Sequence, residues 1–292
     1  MKKDNKNSFA ETVKKYKLPI ICISALVAVL VAIAVINSIS TAYLRPYEKK
    51  YNIKYPRHIA EEFCDAYGTN SAVCGMLTFD DTDEKIFVTS DIYENGNHFD
   101  SGSAIDDGKQ IKSIGLESSA TEIEKLYSSV KGYNSCTQKV TLTDIYGKSK
   151  TYQVIAAYYA NILGKDDNGY VFPYFAHGDL TEDSFNQYED RVHCRSLYHP
   201  SYDMSYTDNY LSINVDTEFM KDFKFVILCV EVDGKVKPYT DAVKNKKIHY
   251  PQIWYDKHDK HNPYWLSSQW QPEVYTDKKH KTTEKMYYTK QK

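Results

Sequence analysis

The segment from Leu18 to Ile39, LPIICISALVAVLVAIAVINSI, carries no charged residue. Such a run matches the roughly 20 apolar residues that a helix needs to cross a bilayer, and it exceeds the roughly 7–15 residues of a signal-peptide core. Lys2, Lys3, Lys6, Lys14, Lys15 and Lys17 precede it. Positive charge stays on the cytoplasmic side. The pattern therefore predicts a cytoplasmic basic segment at 1–17, a transmembrane helix at 18–39, and everything after it on the outer side of the cell membrane. Cleavage at the small-x-small triplet Ser40-Thr41-Ala42 is the less favoured alternative.

Beyond the span, a folded domain is expected from composition. The chain has 292 residues, 42% hydrophobic and 26% charged, and it holds 27 Tyr. A disordered chain is poor in aromatics, so a packed core is expected. The formal net charge of -2 supplies no basic field for nucleic acid. Cys64, Cys74, Cys136, Cys194 and Cys229 lie beyond the span without zinc-type spacing, so no metal site is expected. Outside the cytoplasm one or two disulfides could form, and an odd number leaves at least one thiol over. There is no phosphate loop, nucleotide fingerprint or internal repeat, and no cofactor is implied.

Hydrophobic periodicity divides the outer part further. Residues 40–69 read as a juxtamembrane helical region, with Ile59, Ala60, Phe63, Cys64 and Tyr67 at helical spacing and a break at Pro56. Short strands are expected at Met76–Phe79, Lys85–Thr89, Gln110–Ile114, Gln138–Leu142 and Tyr152–Tyr159. Two clearer ones lie at Tyr210–Val215 and Lys224–Val232, the second a nearly continuous apolar run. Helices are expected at Thr121–Val130 and at 182–194, the latter with Phe185, Tyr188 and Val192 on one face. Many short strands with a few helices favour a mostly-β barrel or sandwich over 70–234. From 235 to 292 the composition turns to Lys, Tyr, His and all three Trp. Its first part is expected to pack on the domain, and its end, after about Asp277, to be disordered.

Four local patterns in this order resemble class B sortases, which are membrane-anchored Cys transpeptidases of Gram-positive bacteria. Asn70-Ser-Ala-Val-Cys-Gly75 resembles the family's N-x-D-V-V-G-W strand, with Met76 in place of Trp. Gly102-Ser-Ala-Ile-Asp-Asp107 resembles its G-S-I-F-M-D segment, and Arg195-Ser-Leu-Tyr198 its R-S-L-Y element. Asp208-Asn-Tyr-Leu-Ser-Ile-Asn-Val215 resembles the strand leading into its T-L-x-T-C motif. The resemblance, from about Asn70 to Val232, implies an eight-stranded β-barrel with peripheral helices. It also implies a sorting-signal peptide as partner and attachment of proteins to the cell wall or pilus.

The resemblance fails at the catalytic positions. A sortase uses a thiolate to attack the peptide carbonyl, a His to protonate the leaving amine and an Arg to stabilise the oxyanion. The His position falls on Leu116, the Cys position on Asp216 or, one residue earlier, on Val215, and the Arg position on Lys224. Leu transfers no proton, neither Asp nor Val replaces a thiolate, and Lys lacks the planar fork of Arg. A catalytically degenerate homologue, acting as a surface binding or accessory module, is therefore the favoured expectation. An active sortase is the alternative, with Cys194 or Cys229 as nucleophile and His98 or His177 as acid. Mid-strand Cys229 reads as an inert buried thiol. His193, Cys194 and Arg195 are adjacent in sequence, but neighbouring side chains on a helix diverge. His98 and His177 read as loop residues. The tail's D-K-H-D-K-H at 256–261 and the Asp106–Asp107 pair both read as solvated loops. A further alternative is an unrelated surface β domain.

Overall fold

The structure, a computed structural model, describes residues 22–36, 39–83, 85–90, 98–99, 108–116, 121–172, 174 and 179–264. The chain divides into two compact units, Met1–Ser71 and Ala72–Lys292.

In the first unit, residues 22–36 form helix α1, whose apolar side chains are exposed, among them Leu26, Val31 and Ile36. Among the described residues no helix is long and apolar enough to cross a membrane. Residues 18–21 and 37–38 of the expected span lie outside them. Helix α2 (Leu44–Tyr51) stops at Asn52, which adopts the left-handed conformation at φ 55°. The helix therefore ends before Pro56, because Asn tolerates the left-handed region that closes a helix. Helix α3 (Cys64–Thr69) is tied to α2 by the Lys50–Asp65 ion pair at 2.7 Å and by Tyr51 Oη donating to Asp65 at 2.7 Å.

The second unit is a closed barrel. Its strands are β1 (Val73–Phe79), β2 (Lys85–Thr89), β3 (His98–Phe99), β4 (Ile111–Leu116), β5 (Lys139–Asp144) and β6 (Ser149–Asn161), with β8 (Tyr210–Asp216) and β9 (Phe223–Glu231). Around the barrel the order is β1-β2-β3-β4-β8-β9-β6-β5, and β5 returns to β1. The expected eight strands resolve into seven of five residues or more and a two-residue link, β3. His98 thus lies in a strand rather than a loop, paired with Gly115. Pairs β4–β8 and β2–β3 are parallel and the others antiparallel. A short pair, β7 (Tyr198–His199) with β10 (Val243–Lys244), lies outside the barrel.

Strand alternation separates two cores. Leu211, Ile213 and Val215 on β8 and Phe225, Ile227 and Cys229 on β9 fill the barrel interior. Tyr210 on β8 and Val226, Leu228 and Val230 on β9 face outward into a second cluster. On β6 the register shifts between Val154 and Ala156, so Ile155 and Ala156 both join the outer cluster. An extra residue at a bulge has this effect. Helix α6 (Glu182–Arg195) covers that cluster with Phe185, Tyr188 and Val192, the expected stripe. Thr181 caps it, its Oγ1 accepting from Ser184 N at 3.2 Å. The expected helix at Thr121–Val130 is two, α4 (Thr121–Tyr127) and α5 (Val130–Ser135). Ser129 is extended and caps the second by accepting from Gly132 N at 3.1 Å.

Beyond Gly234 the chain returns along the barrel as a strap. Gln153 Nε2 donates to Lys237 O at 2.7 Å, and Gln138 Oε1 accepts from Tyr239 N at 2.8 Å. Asn134 exchanges both its amide bonds with Ala242, at 3.1 and 3.2 Å. Asn245 Nδ2 donates to Ser196 O at 2.9 Å, and Asp167 Oδ1 accepts from Gln252 N at 2.9 Å, at the start of α7 (Gln252–Lys257). The first part of the extension therefore packs on the domain, whereas residues 265–292, with Trp265 and Trp270, lie outside the described residues.

Candidate functional site

Parallel pairing of β4 with β8 brings the ends of both strands to one place. Leu116, the last residue of β4, is in register with Val215, and Asp216, the last residue of β8, is in register with Lys224 on β9. The sequence positions expected to correspond to His, Cys and Arg are thus neighbours in space, although Leu116 and Lys224 are separated by most of the domain in sequence.

The two candidates for the nucleophile position face opposite ways. Val215 is fully buried in the barrel interior with Leu116, which is 2% exposed. Asp216 lies on the other face, exposed, and its Oδ1 accepts from Lys224 Nζ at 2.5 Å. The Asp216 side chain keeps 54% of its exposure. Solvent therefore screens the pair, and such pairs contribute at most about 1 kcal/mol.

A second polar group borders this pair. Glu124 on α4 accepts through one oxygen, Oε1, from Tyr159 Oη at 2.9 Å and from Thr217 Oγ1 at 2.8 Å. Burial, followed by the Glu124 carboxylate, pushes the Tyr159 phenol well above its ordinary range, so it remains a donor. The Tyr159 ring stacks on Phe219, with centroids 3.9 Å apart. Sequence reasoning missed Glu124, Tyr159, Thr217 and Phe219, because Glu124 meets partners 35 and 93 residues away and no local pattern marks them.

The other sequence candidates are elsewhere. Cys229 is fully buried and in register with Leu211, five residues before Asp216 on β8. At about 3.3 Å per residue that is about 17 Å along the strand. Burial alone raises its pKa, as expected of an inert thiol. Cys194 lies near the end of α6, and burial pushes its thiol to about 11. Its neighbours diverge as a helix requires. His193 stacks on His199 at 3.9 Å, while the Arg195 guanidinium is buried over the Phe172 ring at 4.3 Å. All six cysteines are free, so neither of the one or two disulfides that could form is present. His98 is placed by its backbone beside Gly115, one residue from Leu116. His177, Asp106 and Asp107 lie outside the described residues, and 256–261 is exposed as expected.

No family model matches the sequence, and no curated protein matches it either. In three dimensions the chain is similar to solved sortases. Sortase B of Clostridium perfringens is 14% identical, with a TM-score of 0.49, over 60% of this chain and 100% of that one. A Staphylococcus aureus sortase B–substrate complex is 11% identical, with a TM-score of 0.48, over 70% of this chain and 97% of that one. A class B sortase of Streptococcus pyogenes involved in pilus biogenesis is 9% identical, with a TM-score of 0.45, over 59% and 98%.

Among the described residues no group of three or more His, Cys, Asp or Glu could hold a metal ion. A separate cavity of about 110 Å³ lies beside α6 and β7, lined by Glu189, His193, His199, Tyr202 and Asp203. Neither Asp216 nor Lys224 lines it. Burial, then His193, pulls His199 down to about 4, so the stacked His pair stays neutral on the His199 side at ordinary pH.

Proposed function

We propose that this chain is a membrane-anchored, class B sortase-like surface protein that has lost transpeptidation and binds an extended, sorting-signal-like peptide as an accessory module. The observation that carries this reading is the register at the β4–β8–β9 junction. It gathers Leu116, Val215, Asp216 and Lys224 at the positions that the resemblance assigns to His, Cys and Arg. None of the four is a thiol or an imidazole. Attack by the exposed Asp216 carboxylate would give a mixed anhydride at the expense of an amide, a far weaker route than a thioester. Lys224 is engaged with Asp216, and its ammonium offers a point charge in place of a bidentate fork. No described cysteine occupies this junction.

The anchor is supported by the charge-free run from Leu18 to Ile39, the lysines before it, and the exposed apolar side chains of α1. In this reading residues 1–17 are cytoplasmic and the barrel is extracytoplasmic. Digestion of intact cells with a protease would remove the barrel and leave the first residues protected. Protection of the barrel would overturn this topology.

One observation favours the alternative of an active enzyme, the placement of His98 beside Gly115. The two readings separate in a cleavage and amine-transfer assay with a sorting-signal peptide library. The wild-type chain is expected to release no product, and peptide binding is expected to survive replacement of every cysteine by alanine. Turnover by the wild type, lost with one Cys→Ala change, would reject the accessory reading. A Leu116→His, Asp216→Cys, Lys224→Arg variant, with Val215→Cys as the alternative register, asks whether the lost chemistry can be rebuilt.

A further inference from the structure

A column of rings runs from Tyr159, which donates to Glu124, to the C-terminal strap. Tyr159 stacks on Phe219 at 3.9 Å, Phe219 faces Tyr250 at 6.0 Å, and Tyr250 stacks on Trp254 at 4.3 Å. His258 covers the next face of Trp254 at 4.3 Å, with its Nδ1 2.6 Å from Trp254 O, and Lys260 Nζ sits 5.0 Å from the ring centroid. Phe219 is the member drawn from the β8–β9 loop, residues 217–222, which joins Asp216 to the strand carrying Lys224. Within that loop Thr217 donates to Glu124, and Phe219 N donates to Thr217 Oγ1 at 3.1 Å. At its other end Asp222 is left-handed, at φ 61°, and accepts from Ile162 N at 2.9 Å. The loop's contacts are thus mostly side-chain contacts, and the strap supplies one of its aromatic walls.

We propose that the C-terminal strap is a clamp on the β8–β9 loop: docking of Tyr250 and Trp254 holds residues 217–222 against Tyr159 and Glu124, and release of the strap frees them. Three features support this. The strap is fastened by the side-chain amides of Gln138, Gln153 and Asn134 and by its own Asn245, with only the two-residue β7–β10 pair as a ladder. Segments held this way open below the global unfolding free energy. The ring column is the direct contact between the strap's Tyr250 and the loop. The loop in turn carries Thr217, whose bond to Glu124 borders the Asp216–Lys224 pair. A partner that captures the strap would therefore alter the surroundings of the Asp216–Lys224 pair without touching it, which is the form that coupling between two sites takes. The coupling is read from contacts alone, and only its consequence for a bound peptide rests on the function proposed above.

Hydrogen exchange on the full chain in detergent micelles tests the clamp without any ligand. Tyr250→Ala is expected to speed exchange of the 217–222 amides by about tenfold or more, with β8 and β9 amides unchanged. Tyr250→Phe, which keeps the ring, is expected to restore protection. Unchanged loop exchange in a folded Tyr250→Ala variant would overturn the proposal, as would a rise spread evenly over the barrel. Should that variant not fold, exchange of the wild-type chain at increasing urea decides. The loop and residues 245–257 must open together and before β8 and β9, and separate openings reject the clamp. Because no peptide is present, failure here leaves the accessory-module reading standing, and loss of that reading leaves the clamp standing.

Discussion

The barrel closes paired strands around an apolar interior, whereas the strap combines apolar packing on that core with side-chain amide bonds to its backbone. The barrel interior is a set of aliphatic and aromatic side chains on paired strands, such as Ile213, Val215, Phe225 and Ile227. The strap also packs apolar side chains on that core, Tyr239, Ala242, Ile248, Tyr250, Ile253 and Trp254, and in addition its backbone is bonded by the side-chain amides of Asn134 and Gln138. Apolar burial is non-directional and spread over many contacts. An amide–backbone bond is local, and losing one partner leaves the other unsatisfied. The barrel is therefore expected to fail as a whole and the strap to open ahead of it.

The largest test of that contrast is Ile227→Ala, in the middle of β9 and fully buried. It is expected to cost about 2–5 kcal/mol in urea unfolding, with all probes shifted together. A change confined to a few amides would break the comparison.

Gln138→Ala is the strap's counterpart. Gln138 is buried at φ 58° and bonds both N and O of Tyr239. Its loss is expected to cost about 1–3 kcal/mol and to speed exchange over 235–242, while β9 stays protected. An effect as global as that of Ile227→Ala would show that barrel and strap form one cooperative unit.

Acid should separate them further. His249 in the strap is pulled down to about 3, by burial first and then by Arg195 and Arg191, and its ring stacks on Tyr264 at 3.7 Å. The unfolded chain takes up that proton near 6.5 and the folded chain only near 3. Stability from this group is therefore complete above about 6.5 and is lost as pH falls toward 3. Unfolding followed between pH 7 and 4 should steepen for the wild type and flatten for His249→Gln. An equal slope in both would remove His249 from the account.

The smallest effect is expected at the Asp216–Lys224 pair. Asp216→Asn removes a screened pair and is expected to change stability by about 1 kcal/mol or less, measured by thermal unfolding. A larger loss would mean that the pair is structural in a way its exposure does not suggest.

Particular residues show how much of the fold and the site is legible in the sequence. Alternation places β8 and β9 within a residue, because an apolar run such as Phe225 to Val230 has only one good home in a sheet. The stripe Phe185, Tyr188, Val192 places the buried face of α6. Periodicity misplaces the end of α2 at Asn52, since Pro56 is a stronger signal in sequence than an Asn able to turn left-handed. Within the site, Leu116, Asp216 and Lys224 are reached through local patterns. Glu124, Tyr159 and Thr217 are not, because one carboxylate oxygen joins an early helix, a central strand and a late loop.

By itself the sequence determined the charge-free N-terminal run and the mostly-β character. These properties arise from composition and short-range periodicity, which concern neighbours along the chain. The tertiary structure decided which face each candidate takes: Val215 inward to the core, Asp216 outward to Lys224. It also decided that the aromatic tail returns to the β8–β9 loop through Tyr250 and Phe219. Strand register and ring stacking join residues far apart in sequence, and only closure of the barrel brings them within reach of one another.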